Sequence, residues 1–356
     1  MLPPPNNDAK GSSPCYLNFF PKNRFAPSSR MVPIIFIHRG WSPYLYHVLK
    51  QARLSNPDAP IYLLGDASNK IFSKLITHEH YLDYFTEAAQ FQTYYQHRDT
   101  CAYNYTLFAF QRHFILKEFL MARDLTRCFH ADSDLMIYCD ITAESEKFKH
   151  FDCTMTWEPE HFVASPHGSF WNNVETLKTF CAFVMNMYQQ KDSENFQRML
   201  GHYENLQRQK QEGGIIDMTA LWLFRLNQGA AIGDMQTVIA GTTYDHNINT
   251  AQNGQFRYEL RQGVKKILWE NHVPFGIVSA TGQKVRFNAL HFQGNAKKYI
   301  RKTFLKHSGG GWLQKFWEGL YYVDIQQLAR FPDRAAALFK KYFKKLASRP
   351  MALPDE

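Results

Sequence analysis

"RCFHADSDLMIYCD", residues 127–140, places three polar residues, Asp132, Ser133 and Asp134, between two apolar runs. Charged side chains are rarely buried unless they are paired or bound to metal. Two carboxylates one residue apart, straight after Cys128, Phe129 and Ala131, therefore predict a strand from about Arg127 to Ala131. At its end the acidic pair leaves the core.

The flanking sequence sets the context. "MVPIIFIHRG" (31–40) is a short, nearly continuous apolar run, as expected of a strand buried on both faces. "SPYLYHVLKQARLSN" (42–56) has helical spacing at Leu45, Val48, Leu49 and Ala52. Ser42 is expected as its N-cap and Pro43 as its first helical residue. "APIYLLGD" (59–66) is a second apolar strand. Strand–helix–strand order predicts an α/β fold with a parallel, doubly wound sheet and ligands outside the strands' carboxyl ends. Further along, residues 104–122 form an expected helix and "FDCTMTW" (151–157) a strand. "NNVETLKTFCAFVMNMYQQ" (172–190) and "DMTALWLFRLN" (217–227) read as helices, and "RFNALHFQG" (286–294) as a strand running into a glycine turn. The polar stretch 188–214 reads as an excursion beside the site. Residues 1–30, rich in Pro, Asn and Ser, are expected to be an irregular or disordered lead-in, 31–305 the main domain and 306–356 a helical extension.

Composition narrows the function. The 356 residues are 45% hydrophobic, 21% charged and 15% aromatic, with a formal net charge of +9. That balance fits a globular chain, and the positive charge suits either solubility or an anionic partner such as a nucleotide or an acidic membrane surface. No helix-turn-helix, zinc or RNA-recognition pattern points to nucleic acid. No run approaches the roughly 18 apolar residues of a membrane span, and the start lacks the charged-then-apolar order of a signal peptide. The six cysteines form no CxxC pair. Cys128, Cys139 and Cys153 read as core residues, and the expected compartment is the reducing cytoplasm. In the tail, Leu338, Phe339, Tyr342, Phe343 and Leu346 share one side of a helix opposite Lys340, Lys341, Lys344 and Lys345. Such a helix either docks on the domain or lies peripherally at the inner membrane surface.

The chemistry rests on two elements. A strand-end D-x-D suits a hard divalent cation, Mg2+ or Mn2+, although a turn using Asp hydrogen bonds gives the same triplet. Late in the chain, "LHFQGNAKKYI" (290–300) sets His291 three residues before Gly294 and six before Lys297. The imidazole can be a metal ligand, the glycine admits close approach of a phosphate, and the lysine supplies charge to it. A core histidine followed by a turn is the simpler alternative.

Together these elements resemble the GT-A glycosyltransferases, in particular the retaining family of glycogenin and bacterial lipopolysaccharide galactosyltransferases. That family pairs a strand-end D-x-D with a late H-x-x-G-x-x-K-P-W. The resemblance covers roughly residues 31–300. It implies a GT-A fold with a mixed, mainly parallel sheet flanked by helices. It also implies a nucleotide-diphosphate sugar donor with UDP as the default base, a glycan or glycolipid acceptor, and transfer with retention. Asp132, Asp134 and His291 match the metal ligands, and Gly294 and Lys297 the diphosphate contacts. "FAFQRHFILKEFL" (108–120) resembles the helix before the D-x-D and offers Arg112 as a clamp on the diphosphate or the donor sugar. "HGSFWNN" (167–173) resembles the segment under the donor sugar and offers Asn172. "GGIIDMTALW" (213–222) offers Asp217 near the reacting carbon. Glu158 could stabilise positive charge there. Ser133 and Asp66 are candidate nucleotide contacts, with His38 and Arg39 at the end of the first strand. Lys298-Tyr299 departs from the family's Pro-Trp, and "HRGWSPY" (38–44) replaces the acidic nucleotide contact, leaving GDP open as well. Two rivals remain from the residues alone: a D-x-D phosphatase, or a non-catalytic basic module that binds glycan or membrane.

Overall fold

The computed structural model describes residues 31–158 and 162–309. The expectations for 1–30 and for the amphipathic tail lie outside the described residues. The chain begins with β1 (Ile34–Ile37), α1 (Leu45–Ser55), β2 (Ile61–Gly65) and β3 (Thr77–His80), followed by α2 (Thr86–Tyr94) and α3 (Tyr103–Ala122). Next come β4 (Cys128–Ala131), β5 (Leu135–Ile137), α4 (Ile141–Ser145), β6 (Cys153–Glu158), β7 (Val163–Ser165) and β8 (Gly168–Trp171). Helices α5 (Val174–Gln189), α6 (Glu194–Arg208) and α7 (Asp217–Gln228) precede β9 (Ile232–Asp234) and β10 (Thr242–Tyr244). Two short hairpins, β11 (Gln252–Asn253) with β12 (Phe256–Arg257) and β13 (Leu260–Arg261) with β14 (Val264–Lys265), lead to β15 (Leu268–Glu270), β16 (Val273–Ile277) and β17 (Lys284–His291). Helix α8 (Ile300–His307) follows and runs through the expected boundary at residue 305.

The main sheet has the order β3-β2-β1-β4-β8-β6-β7, with β9 on β6. Only β7 and β8 oppose the common direction. The fold is thus α/β with a mixed, mostly parallel sheet. Alternate residues of β1 explain its two-sided burial. Ile34 and Phe36 join the core beneath α1, whereas Ile35 and Ile37 join the core formed with α2, α3, α5 and α7. Cys128, Cys139 and Cys153 are buried free thiols, as expected.

A second sheet, β10-β17-β16-β15, also takes β5 as an antiparallel partner of β17. Because β5 follows the acidic triplet directly, this pairing carries residue 291 to residue 135 across some 150 residues of chain.

Two local expectations are corrected. Ser42 does not cap α1 with its side chain; it closes a preliminary turn through its carbonyl, which accepts from Leu45 N at 3.1 Å. The polar stretch 188–214 contains a full helix, α6. Ser193 caps it by accepting from Phe196 N, and buried Phe196 and Met199 tie it down. Polarity on the remaining faces hid that narrow apolar stripe.

Candidate metal and diphosphate site

Strand β4 stops at Ala131, where Asp132 N donates to the His167 carbonyl at 2.7 Å. Leu135 N then donates to the Asp132 carbonyl at 3.0 Å, turning the chain tightly so that both carboxylates leave the sheet at its carboxyl edge. The antiparallel register sets His291 opposite Leu135, and Phe292 N donates to the Asp134 carbonyl at 3.0 Å. One ligand atom each from Asp132, Asp134 and His291 falls within 4.8 Å of the others. The two ends of the sequence motif are therefore joined by one backbone ladder.

The donor set fits a divalent cation. His291 Nδ1 lies 2.6 Å from the His246 carbonyl, which can only accept, so Nδ1 carries the proton. This leaves Nε2 as the ring's acceptor nitrogen, 3.4 Å from Asp134 Oδ1. Two acceptors facing each other need a proton or a cation between them. In agreement, burial alone would lower the His291 pKa, but the charges of Asp134 and Asp132 raise it.

Three basic side chains surround this cluster. Arg112, from α3, donates Nη1 to Asp132 Oδ1 at 2.6 Å and Nη2 to Asp217 Oδ2 at 2.7 Å. His113, beside it on the helix, contacts the same Asp217 oxygen through Nε2 at 3.0 Å. Burial would push the Asp217 carboxyl up, but these two partners hold it near 2, an anion without any contact to solvent. Lys297 Nζ lies 2.6 Å from Asp134 Oδ2. It is delivered by a 3-10 turn, Gly294–Tyr299, whose first residue has φ +57, a conformation that glycine adopts without strain. Burial would lower the Lys297 pKa; Asp134 outweighs that and raises it.

Arg112, Asp132, Asp134, Asp217, His291 and Lys297 line one cleft of about 570 Å³, walled also by Tyr44, Tyr105 and Phe108. Ser133 lines it too, its Oγ 2.8 Å from His38 Nδ1. Burial lowers the His38 pKa to about 4, so its imidazole is neutral near pH 7, and Nε2 has no hydrogen-bond partner among the described residues. Arg39 reaches the cleft rim, its guanidinium 4.8 Å above the Phe108 ring.

The structure thus brings together Asp132, Ser133, Asp134, Arg112, Asp217, His291, Gly294 and Lys297. Three other candidates lie elsewhere. Asp66 does not line the cleft. It accepts from Gly40 N at 2.6 Å and from Ser68 N at 2.8 Å, joining the loops after β1 and β2. Asn172 donates to the carbonyls of Phe148 and Phe151, each at 2.9 Å, and holds the chain before β6. Glu158 pairs with His246 at 2.9 Å and lines a second cavity. Sequence reasoning missed His246, whose carbonyl fixes the tautomer of His291, and His167, which stacks on His291 at 4.1 Å. It also missed Asp245, which accepts from His291 N at 3.1 Å and forms a fully buried pair with Lys265 at 2.7 Å. The polar run "YDHNIN" (244–249) after an apolar stretch was the one available signal.

No protein-family model and no curated protein matches the chain. Several solved structures are similar to it. The apo form of mouse xyloside xylosyltransferase 1 matches at 10% identity and TM-score 0.41, over 57% of this chain and 84% of its own. An active-site mutant of LgtC matches at 10% identity and TM-score 0.40, over 80% of this chain and all of its own. The apo form of WbbM, a bifunctional glycosyltransferase, matches at 10% identity and TM-score 0.43, over 82% of this chain and 52% of its own. Likeness at these scores carries no argument about chemistry, which rests on the side chains of the cleft.

Proposed function

We propose that the protein is a divalent-metal-dependent glycosyltransferase that moves a sugar from a nucleotide-diphosphate sugar, with UDP as the first candidate base, to a hydroxyl of a glycan or glycolipid. The observation that carries this reading is the convergence of Asp132, Asp134 and His291 with Arg112 and Lys297 in one cleft at the carboxyl edge of the sheet. Asp132, Asp134 and His291 would hold Mn2+ or Mg2+, which when bound neutralises a departing diphosphate.

The chain's own residues have distinct tasks. Lys297 is positioned to exchange its carboxylate partner for a phosphate oxygen, and its charge meets the negative charge that grows on the leaving group. Arg112 links Asp132 to Asp217, so it sets the acidic pair and Asp217 in fixed relation. Asp217 Oδ1 has no hydrogen-bond partner among the described residues, and Asp217 stands in the wall of the same cleft with its carboxylate shielded from solvent. In transfer with retention, the bond from anomeric carbon to phosphate oxygen breaks and a bond to the acceptor oxygen forms on the same face. The acceptor's proton passes to the departing phosphate oxygen, so no strong protein base is required.

A panel of nucleotide-sugars incubated with Mn2+, with release of nucleoside diphosphate as the readout, tests the reading. One donor should be cleaved in the presence of Mn2+ and spared with EDTA. Full turnover with EDTA, or inertness toward every donor, would contradict it.

A further inference from the structure

The second cavity, of about 740 Å³, adjoins the first through two hydrogen bonds, between His246 and His291 and between Asn247 and Gln293. His246 lines it, and the His246 carbonyl accepts from the ring of His291, which lines the cleft described above. Its walls are the ends of β6 and β9 and the hairpin β11–β12. They are fixed before any ligand arrives. Gln236 donates Nε2 to the Trp157 carbonyl at 3.0 Å and accepts from Gly254 N at 2.7 Å, bridging opposite walls. Asn253, fully buried, accepts from His246 N at 2.7 Å and donates to the Tyr244 carbonyl at 3.0 Å, which locks the hairpin to the metal-site histidine's support.

In the first cleft Arg39, Arg112 and Lys297 face Asp132, Asp134 and Asp217. In the second, Glu158 is paired with His246, leaving one acid, Asp234, and one base, Arg257. Such a lining offers no net attraction to a phosphate or an acidic polymer. Its one large aromatic is Trp157, held rigid between Trp222, stacked at 12°, and the Arg225 guanidinium, 4.4 Å from the ring. The other lining side chains are four amides, one hydroxyl, two carboxylates, an imidazole and a guanidinium, which exclude a lipid chain and match the donor-and-acceptor hydroxyls of an uncharged sugar.

We propose that this cavity binds the non-reacting units of a neutral oligosaccharide and so selects a glycan acceptor. The proposal rests on the glycosyltransferase reading, but its test is separable. The probe is an array of neutral and carboxylated oligosaccharides of two to six units, read with the full chain and with a Gln255→Ala/Arg257→Ala double variant. Both residues are exposed on the hairpin, and neither belongs to the donor cleft. The wild type should bind neutral members, the double variant should bind them at least tenfold more weakly, and Mn2+-dependent donor hydrolysis should be equal in both. A Gln252→Ala variant on the same hairpin, with unchanged melting temperature, should show the same selective loss. Equal glycan binding by variants and wild type, a preference for the carboxylated members, or no neutral oligosaccharide bound at all would overturn the proposal. Glycan binding that persists in a wild type unable to cleave any donor would overturn the donor reading and leave this one standing.

Discussion

At the residue scale the site depends on charges that have exchanged water for one another. Asp134, buried, faces His291 and Lys297, and these partners hold its carboxyl well below the usual range despite a burial that would raise it. Removing it should abolish metal binding, so Asp134→Ala should leave donor turnover at the level seen with EDTA. Lys297→Ala should weaken donor binding and also slow transfer, because the charge it meets increases in the transition state. A fall of about 10²-fold in kcat is the expected order for losing one such contact, read by steady-state kinetics. A rise in KM alone would place Lys297 outside the reacting centre. The motif residues were legible in the sequence because carboxylates and a histidine at strand ends announce themselves. Their supports were not. His167, Asp245 and Lys265 act through stacking and a buried ion pair, which only the folded chain brings together.

At the element scale, the short apolar runs of β1, β2, β4 and β6 and the longer apolar segments of α3, α5 and α7 were readable because each carries buried residues along most of its length. The hairpins between Gln252 and Lys265 escaped, since two-residue strands carry no periodicity. The entrance to α7 depends on close backbone approach. Ile215 N donates to the Arg98 carbonyl at 2.7 Å, and a Cβ on Gly214 would stand 2.2 Å from that carbonyl oxygen. Gly214→Ala must therefore displace either the Arg98–Asp99 backbone or the start of α7, which carries Asp217. The variant should lose about 1–3 kcal/mol of stability, the range for overpacking, measured by urea unfolding, and donor hydrolysis should fall with it. Unchanged stability would show that the loop yields freely. By contrast, Lys265→Met leaves Asp245 buried without its partner. Its cost should be near 3–5 kcal/mol, the range for a broken buried pair, seen as a lowered melting temperature.

At the scale of the whole molecule, burial of neutral histidines makes the fold sensitive to acid. Burial lowers the His47 pKa from its ordinary 6.5 to about 3. Between those values the unfolded chain binds a proton that the folded chain does not, so this contribution is complete above pH 6.5 and is lost as pH falls. At pH 5 the loss from one such group is about 2 kcal/mol. Stability measured by denaturant should decline below pH 6.5, and His47→Phe should flatten the decline. An identical pH profile in that variant would contradict the account. No helix among the described residues is long and apolar enough to cross a membrane.

The central claim is that one divalent cation is held by Asp132, Asp134 and His291. Mn2+ titration followed by electron spin-echo spectroscopy, with UDP present, tests it most directly. One tightly bound Mn2+ per chain should show nitrogen coupling from an imidazole. The coupling should vanish in His291→Gln, and the bound ion itself should vanish in Asp134→Ala. Stoichiometric Mn2+ binding that survives Asp134→Ala, or a nitrogen coupling unchanged in His291→Gln, would contradict the account.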